Sequence, residues 1–387
     1  EEALIQGGQI DENGNAAFEW EGIHGSPIEF GYRNKMEFSF GDEVKDGPLS
    51  LGLHKKGSTY DILNTDDCKL VHKDMTDILT CVREFFREKG ASYYRKLQHT
   101  GYLRHLMLRR GVTSGEILVH LVTTTQEEYD LEPLKDQLLA LPLEGRIVGI
   151  MHILNDSLSD VVQSDETRIL YGQDYFYETL LGLKFRISTF SFFQPNSLAA
   201  EVLYNIVRDY IQNTSGMEVF DLYSGTGTIA QLLAPVAKEV IGVEIVEDAV
   251  AAARENAKLN GLDGRVKFIC EDVFELLPEL EEKGEKFDVV VLDPPAFTKS
   301  RSSVKNAIKG YREINLRAMR LVKDGGFLAT CSCSHFMTYE LFTEMLHQAA
   351  RSVHKRLRQI EYRTQAADHP ILWSADESYY LKFYIFQ

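Results

Sequence analysis

Two spacings of hydrophobic residues divide this 387-residue chain. Over residues 32–53 and 102–125 apolar and polar positions alternate with few breakers, as in Glu116-Ile-Leu-Val-His-Leu-Val122, and this predicts antiparallel hairpins. Residues 72–90 and 128–141 carry helical spacing and flank them. Residues 146–153 and 167–175 continue the sheet, and 180–188 form a strand leading out of it. The expected first unit is α+β, over residues 1–184. Beyond it the strands become short apolar runs at 217–221, 240–244, 265–270, 287–292 and 326–333, with helices at 304–322 and 338–353. Strands at 357–364 and 380–386 complete an expected α/β, Rossmann-like sheet of seven strands over residues 185–387, with two antiparallel strands at one edge.

The chemistry begins at the first of these runs. Met217-Glu-Val-Phe-Asp221 leads into Leu222-Tyr223-Ser224-Gly225-Thr226-Gly227-Thr228, a glycine loop that opens a helix. Val240-Ile-Gly-Val-Glu244 ends in an acid about 20 residues past the first glycine, where a ribose hydroxyl pair sits in a doubly wound sheet. A nicotinamide enzyme would show the same features, so the loop alone leaves the cofactor open. The later strands decide. The third ends at Asp272, suited to an adenine amine. The fourth runs into Asp293-Pro294-Pro295, a signature of S-adenosylmethionine enzymes acting on nucleobases. Its prolines fix the turn while the Asp faces the base or the donor. S-adenosylmethionine is therefore expected on Asp221, Gly225, Gly227, Thr228, Glu244, Asp272 and Asp293.

Thr330-Cys331-Ser332-Cys333-Ser334-His335 places thiols at the end of the fifth strand. Carbon 5 of a pyrimidine is a poor nucleophile until a thiolate adds to carbon 6. A base must later take the carbon 5 proton so that the thiolate can leave. A thiol beside a methyl donor thus points to pyrimidine carbon 5 methylation. Cys333 lies at the strand tip, and Cys331 lies two residues earlier on the same face.

Several motifs are specific enough to carry a resemblance. In Gly31-Tyr-Arg-Asn-Lys-Met-Glu-Phe38, Ser191-Phe-Phe-Gln194-Pro-Asn196 and Val219-Phe-Asp-Leu-Tyr-Ser-Gly-Thr-Gly-Thr-Ile229, residues 30–261 resemble the ribosomal RNA uracil-5-methyltransferases of the RumA or RlmD type. From residue 263 the chain is similar to the ribosomal RNA cytosine-5-methyltransferases of the RlmI type. That likeness rests on Asp293-Pro-Pro-Ala-Phe297-Thr-Lys-Ser300, Tyr311-Arg-Glu-Ile-Asn-Leu-Arg317, Thr330-Cys-Ser-Cys-Ser-His-Phe336 and Ala367-Asp-His-Pro370. The uracil family would have Arg at Ala296 and Ser-Cys-Asn-Pro where this chain reads Ser332-Cys333-Ser334-His335. The resemblance implies an RNA-contacting first unit, a methyltransferase domain after it, and an RNA partner, ribosomal in kind. It also implies Cys333 as nucleophile, Gln194 and Tyr223 as donor contacts, and Glu377 as the proton-abstracting base, with Asp368 and His369 second. Asn196 would help hold the Gln194 loop. Uridine is the expected base and cytidine the alternative. Of the uracil family's four-cysteine iron–sulfur site only Cys68 is matched, and one thiol cannot hold a cluster.

Composition adds limits. At 44% hydrophobic the chain can bury two ordinary cores. No apolar run reaches the roughly 18 residues of a membrane span, and five irregularly spaced cysteines suit a reducing compartment. A cytoplasmic monomer is the expectation. The net charge of -16 requires any RNA site to be a local basic patch. Candidates are Arg33 and Lys35, His54 to Lys56, a group from Arg95 to Arg110, and a run from Lys299 to Arg317.

Overall fold

The computed structural model describes residues 27–58, 60–158, 164–212, 216–298, 300–365, 371 and 378–387. The first sheet contains β1 (Lys35–Asp42), β2 (Leu49–His54), β3 (Ile62–Asn64), β4 (Leu103–Arg110), β5 (Glu116–Thr123), β6 (Arg146–Leu154) and β7 (Glu166–Gly172), in the order β3-β2-β1-β4-β5-β6-β7. Its neighbours are antiparallel except β5 and β6. Those two run parallel because a helix, not a hairpin, joins them. One sheet face is covered by α1 (Lys73–Glu88), whose Met75, Ile78, Leu79, Val82 and Phe86 recur at helical spacing and join Phe38, Phe40, Leu106, Leu108 and Val119 in one core. The joining helix α2 (Glu132–Leu139) packs Leu134 and Leu138 into the same core.

The strand expected at 180–188 is instead the second arm of a hairpin, β8 (Tyr175–Leu180) and β9 (Leu183–Ser188). Its two-residue turn has Leu181 at φ 47° and Gly182 at φ 83°, the left-handed pair that matches strand twist. This hairpin fills the space between the sheets. Phe176, Leu180, Phe185 and Ile187 pack with Leu118 and Met151 of the first sheet, and with Phe193, Ala200, Tyr204 and Leu232 beyond it.

After α3 (Ser197–Gln212) comes the second sheet: β10 (Glu218–Leu222), β11 (Glu239–Glu244), β12 (Val266–Cys270), β13 (Phe287–Leu292), β14 (Val322–Ser332), β15 (Gln359–Arg363) and β16 (Lys382–Phe386). Helices α4 (Thr228–Leu233), α5 (Glu247–Leu259), α6 (Val273–Lys283), α7 (Val304–Leu321) and α8 (Tyr339–Val353) connect them. The order is β12-β11-β10-β13-β14-β16-β15. The edge departs from expectation in one respect. β15 and β16 are antiparallel to each other, but only β16 opposes the other strands. The order reverses between β10 and β13, and the chain leaves these neighbours at Leu222 and Leu292. Ligands of open α/β sheets bind in the crevice at such a switch point. Here it brings the glycine loop and the Asp-Pro-Pro turn together.

Candidate active site

The loop after β10 has a backbone that ordinary residues avoid. Tyr223, Gly225 and Gly227 have φ of 64°, 53° and 75°. At Gly227 a side chain would also meet the Phe268 ring and Ala253, since an added Cβ would lie 2.5 Å from the ring. Gly225 faces open space among the described residues, so a ligand can approach its backbone. Asp221 is buried at the end of β10, and its Oδ2 accepts from the Ala230 amide at 3.0 Å. Burial, then the nearby Asp293 and Glu244 carboxyls, push its pKa far above the usual carboxylate range, with the Ala230 amide opposing. Its Oδ1, the Tyr223 hydroxyl and Ser224 Oγ are buried and find no hydrogen-bond partner among the described residues. Such groups suit a polar ligand.

Glu244 stands at the tip of β11. Its Oε2 accepts from the Gly225 amide at 3.0 Å, and its Oε1 accepts from the amides of Ile245 and Val246 at 2.9 and 3.0 Å. Asp272 caps α6, its Oδ1 accepting from the Phe274 amide at 2.7 Å. Exposed Ile245, Val246 and Phe274 follow these two acids directly and offer apolar surface beside them.

The reactive side of the crevice is built by β14. Alternation sends Thr330 and Ser332 toward α7, where they donate to Asn315 Oδ1 at 2.7 Å and the Tyr311 hydroxyl at 3.3 Å. Cys331 points the other way. It is buried and donates to Asp293 Oδ1 at 2.8 Å. Cys333, just past the strand end, is half-buried with its Sγ 3.8 Å from the Pro294 carbonyl oxygen. Burial, then the Asp293 carboxyl, raise the Cys333 thiol pKa, while the Lys382 ammonium pulls it down. Burial also raises Asp293, against the Cys331 hydrogen bond. Phe297 packs on Tyr311 at 4.6 Å between centroids, with Tyr223 6.2 Å and Phe274 6.3 Å from it.

Gln194 lies on the loop before α3. Its carbonyl accepts from Asn34 Nδ2 at 2.7 Å, and its side chain bonds to the buried Tyr204 hydroxyl. Asn196 caps α3 by accepting from the Ala199 amide at 2.9 Å. Thr228 begins α4. Glu377, Asp368 and His369 lie outside the described residues.

Residues 213–382 match the family described as Methyltransferase domain. The C-terminal unit is a methyltransferase domain. Over 278 residues, 72% of its length, the chain is 50% identical to an uncharacterized RNA methyltransferase of Clostridium tetani, of which it covers 60%. It is 48% identical over 292 residues to an uncharacterized RNA methyltransferase of Clostridium acetobutylicum, matching 76% of this chain and 63% of that protein. The chain thus spans less than two thirds of these relatives' length. A matched stretch of 278 residues is longer than the span of residues 1–184, so the match runs into the second unit. In the solved structures, a Pyrococcus abyssi tRNA (uracil-54, C5)-methyltransferase with S-adenosyl-L-homocysteine superposes with a TM-score of 0.67 at 23% identity, covering 94% of this chain and 77% of that one. The fold is that of the S-adenosylmethionine-dependent methyltransferases.

One site residue escapes the motifs, and a second lies in one that does not reveal its role. Lys382 is fully buried on β16 opposite Ser332, and its Nζ donates to the carbonyls of Ser334 at 2.6 Å and Tyr380 at 2.8 Å. Burial lowers its pKa to about 8, against the pull of the two thiols. A charged residue inside Leu381-Lys-Phe-Tyr-Ile-Phe386 was the only signal for it. Asn34 was visible within a motif, but its role is tertiary. Its amide donates to the Pro195 carbonyl and its side chain to Ser197 Oγ, at 2.7 and 2.9 Å.

Proposed function

We propose that this chain methylates carbon 5 of a pyrimidine in RNA, with S-adenosylmethionine as donor and Cys333 as covalent nucleophile. The carrying observation is the placement of a half-buried thiol 3.8 Å from the carbonyl of an Asp-Pro-Pro turn, in a crevice whose glycine loop holds unpaired buried polar atoms. The names of the curated relatives and of the Pyrococcus fold neighbour agree with this class of chemistry.

S-adenosylmethionine supplies an electrophilic methyl group on a sulfonium. Asp221, Tyr223, Gly225, Gly227, Thr228 and Gln194 would hold it, with Glu244 on the ribose, Asp272 on the adenine and Asp293 between donor and base. Cys333 loses its proton to solvent and adds to carbon 6, and the ring electrons move to carbon 5, which takes the methyl as the methyl–sulfur bond breaks and its electron pair stays on the sulfur of the departing neutral thioether. A base then removes the carbon 5 proton; those electrons restore the ring double bond and expel the thiolate. Glu377 is the proposed base. Lys382 favours the thiolate, while Cys331 orients Asp293 through its hydrogen bond.

Uridine is the proposed target, supported by the likeness of residues 30–261 to uracil enzymes. Cytidine is the second reading, supported by the likeness of the segments around the base, Asp293 to Phe297 and Cys333 to Phe336, to the cytosine enzymes. Incubation of ribosomal and transfer RNA with labelled donor, followed by mass spectrometry of the nucleosides, tests both. The expected product is 5-methyluridine in ribosomal RNA, absent with Cys333→Ala. Only 5-methylcytidine would replace the target, and transfer that survives Cys333→Ala would remove the mechanism.

A further inference from the structure

We propose that a cavity at the far end of β1 is a second RNA site, holding one unstacked base of a single strand that continues from the target pyrimidine. The inference rests on the RNA reading above. The cavity, of about 320 Å³, opens where the end of β1 meets the β2–β3 turn and the loop of residues 93–98. This is within the range of small-ligand sites, about 300–1,000 Å³.

Its walls combine rings and cations. Tyr60 and Leu97 line it while 53% and 69% exposed, unusual for such large apolar groups inside a concavity. Tyr94, largely buried in the wall, carries the Arg104 guanidinium over its ring at 4.5 Å from the centre, and Arg104 Nη1 donates to the Asn155 and Ser157 carbonyls at 2.8 and 2.7 Å. Around the mouth stand Lys45, His54, Arg95 and Lys96, drawn from three separate stretches of sequence. The same β2–β3 turn carries exposed Lys55 and Lys56.

Acids are present too, Asp42 and Asp61 in the lining and Asp46 beside it, and two of the three are engaged. Asp42 accepts from the Asp46 amide at 2.8 Å and from the Tyr93 hydroxyl, and Asp46 pairs with Arg95 at 3.0 Å. On a chain of net charge -16, a convergence of cations on an aromatic cavity fits a polyanion with flat bases. Stacking accepts any base, so this site would supply affinity rather than sequence choice. β1 itself links the two sites. Asn34, just before it, holds the Gln194 loop, and Asp42 lines the cavity, a run of about 25 Å at roughly 3.3 Å per residue.

The test uses a fluorescent oligouridylate of about 20 nucleotides, longer than the roughly 4–16 that one binding surface covers. Anisotropy should show Tyr60→Ala weakening binding about 5- to 100-fold, and Tyr60→Trp keeping it, because the ring remains. Lys45→Gln should flatten the salt dependence by about 0.7 in log–log slope. A strand carrying 4-thiouridine should crosslink to peptides containing Tyr60 or residues 93–97. Tyr60→Ala affinity equal to the parent's, or crosslinks confined to the second unit, would overturn the second site while leaving methyl transfer intact. No binding and no methyl transfer by the parent chain would overturn the RNA reading and this site together.

Discussion

The two sheets contain the same number of strands and use polar residues in opposite ways. In the first, alternation spreads them over a face. His105, Arg109 and His120 share one side, where His120 bonds the Met107 carbonyl and Thr189, and Arg109 donates to the Ser191 carbonyl. In the second, β10 and β13 are apolar almost throughout, and the polar groups collect where strands end, at Asp221, Glu244, Asp293 and Cys333. A strand buried on both faces has room for chemistry only at its tips. An antiparallel sheet can instead dedicate a face to docking. On the reading proposed above, reaction falls to the second unit and attachment to the first.

The sharpest break of that contrast targets the second sheet's edge. Cys333→Ala should lower methyl transfer by about 10³-fold or more, while calorimetry finds donor affinity unchanged. Cys331→Ala should cost far less, and the opposite ranking would move the nucleophile. Next comes the donor. Glu244→Ala should weaken S-adenosylmethionine binding about 10- to 100-fold, since charged hydrogen bonds contribute about 1.5–3 kcal/mol each; unchanged affinity would remove Glu244 from the site.

A smaller effect probes the buried cation. Without the Lys382 charge the Cys333 thiol should ionise at higher pH. Lys382→Met should therefore slow alkylation of the Cys333 peptide about tenfold near neutral pH and shift its profile upward, which mass spectrometry would show. An unshifted profile would leave Lys382 a purely structural residue.

The first sheet should answer to pH through stability. Burial holds His120 at about 3 when folded, against 6.5 as the ordinary value. Between those values the unfolded chain binds the extra proton, so stability rises with pH in that window and falls on acidification. From pH 7 to pH 5 His120 should account for about 2 kcal/mol of the loss seen by urea unfolding; buried His152, held at about 4, adds a loss of its own, and His120→Gln should lose about 2 kcal/mol less than the parent. An equal loss in the variant would place the titration elsewhere.

What the sequence made legible follows the same division. Asp221, the glycine loop and Asp-Pro-Pro are contiguous motifs, and each strand tip could be read from a local apolar run. Lys382 could not, because its value comes from the register that sets it beside Ser332. In the first unit, the period of two marked the strands but not their partners, so the parallel β5–β6 pair went unseen. The turn at Leu181 and Gly182 was hidden for a different reason. It interrupts Leu180-Leu-Gly-Leu183, an apolar run with one glycine, and the left-handed position falls on a leucine.

The hydrogen bonds of Asn34 carry a consequence for recombination between relatives. Its amide and side chain find their acceptors at Gln194, Pro195 and Ser197, and Ser197 in turn donates to Glu178 at 3.0 Å. A chimaera cut between the hairpin and α3 would separate these donors from the acceptors shaped for them, leaving buried polar atoms unmatched on both sides of the seam. The inheritable cassette is therefore the first sheet together with the loop through Ser197, and a foreign catalytic domain would be accepted most readily when joined beyond it.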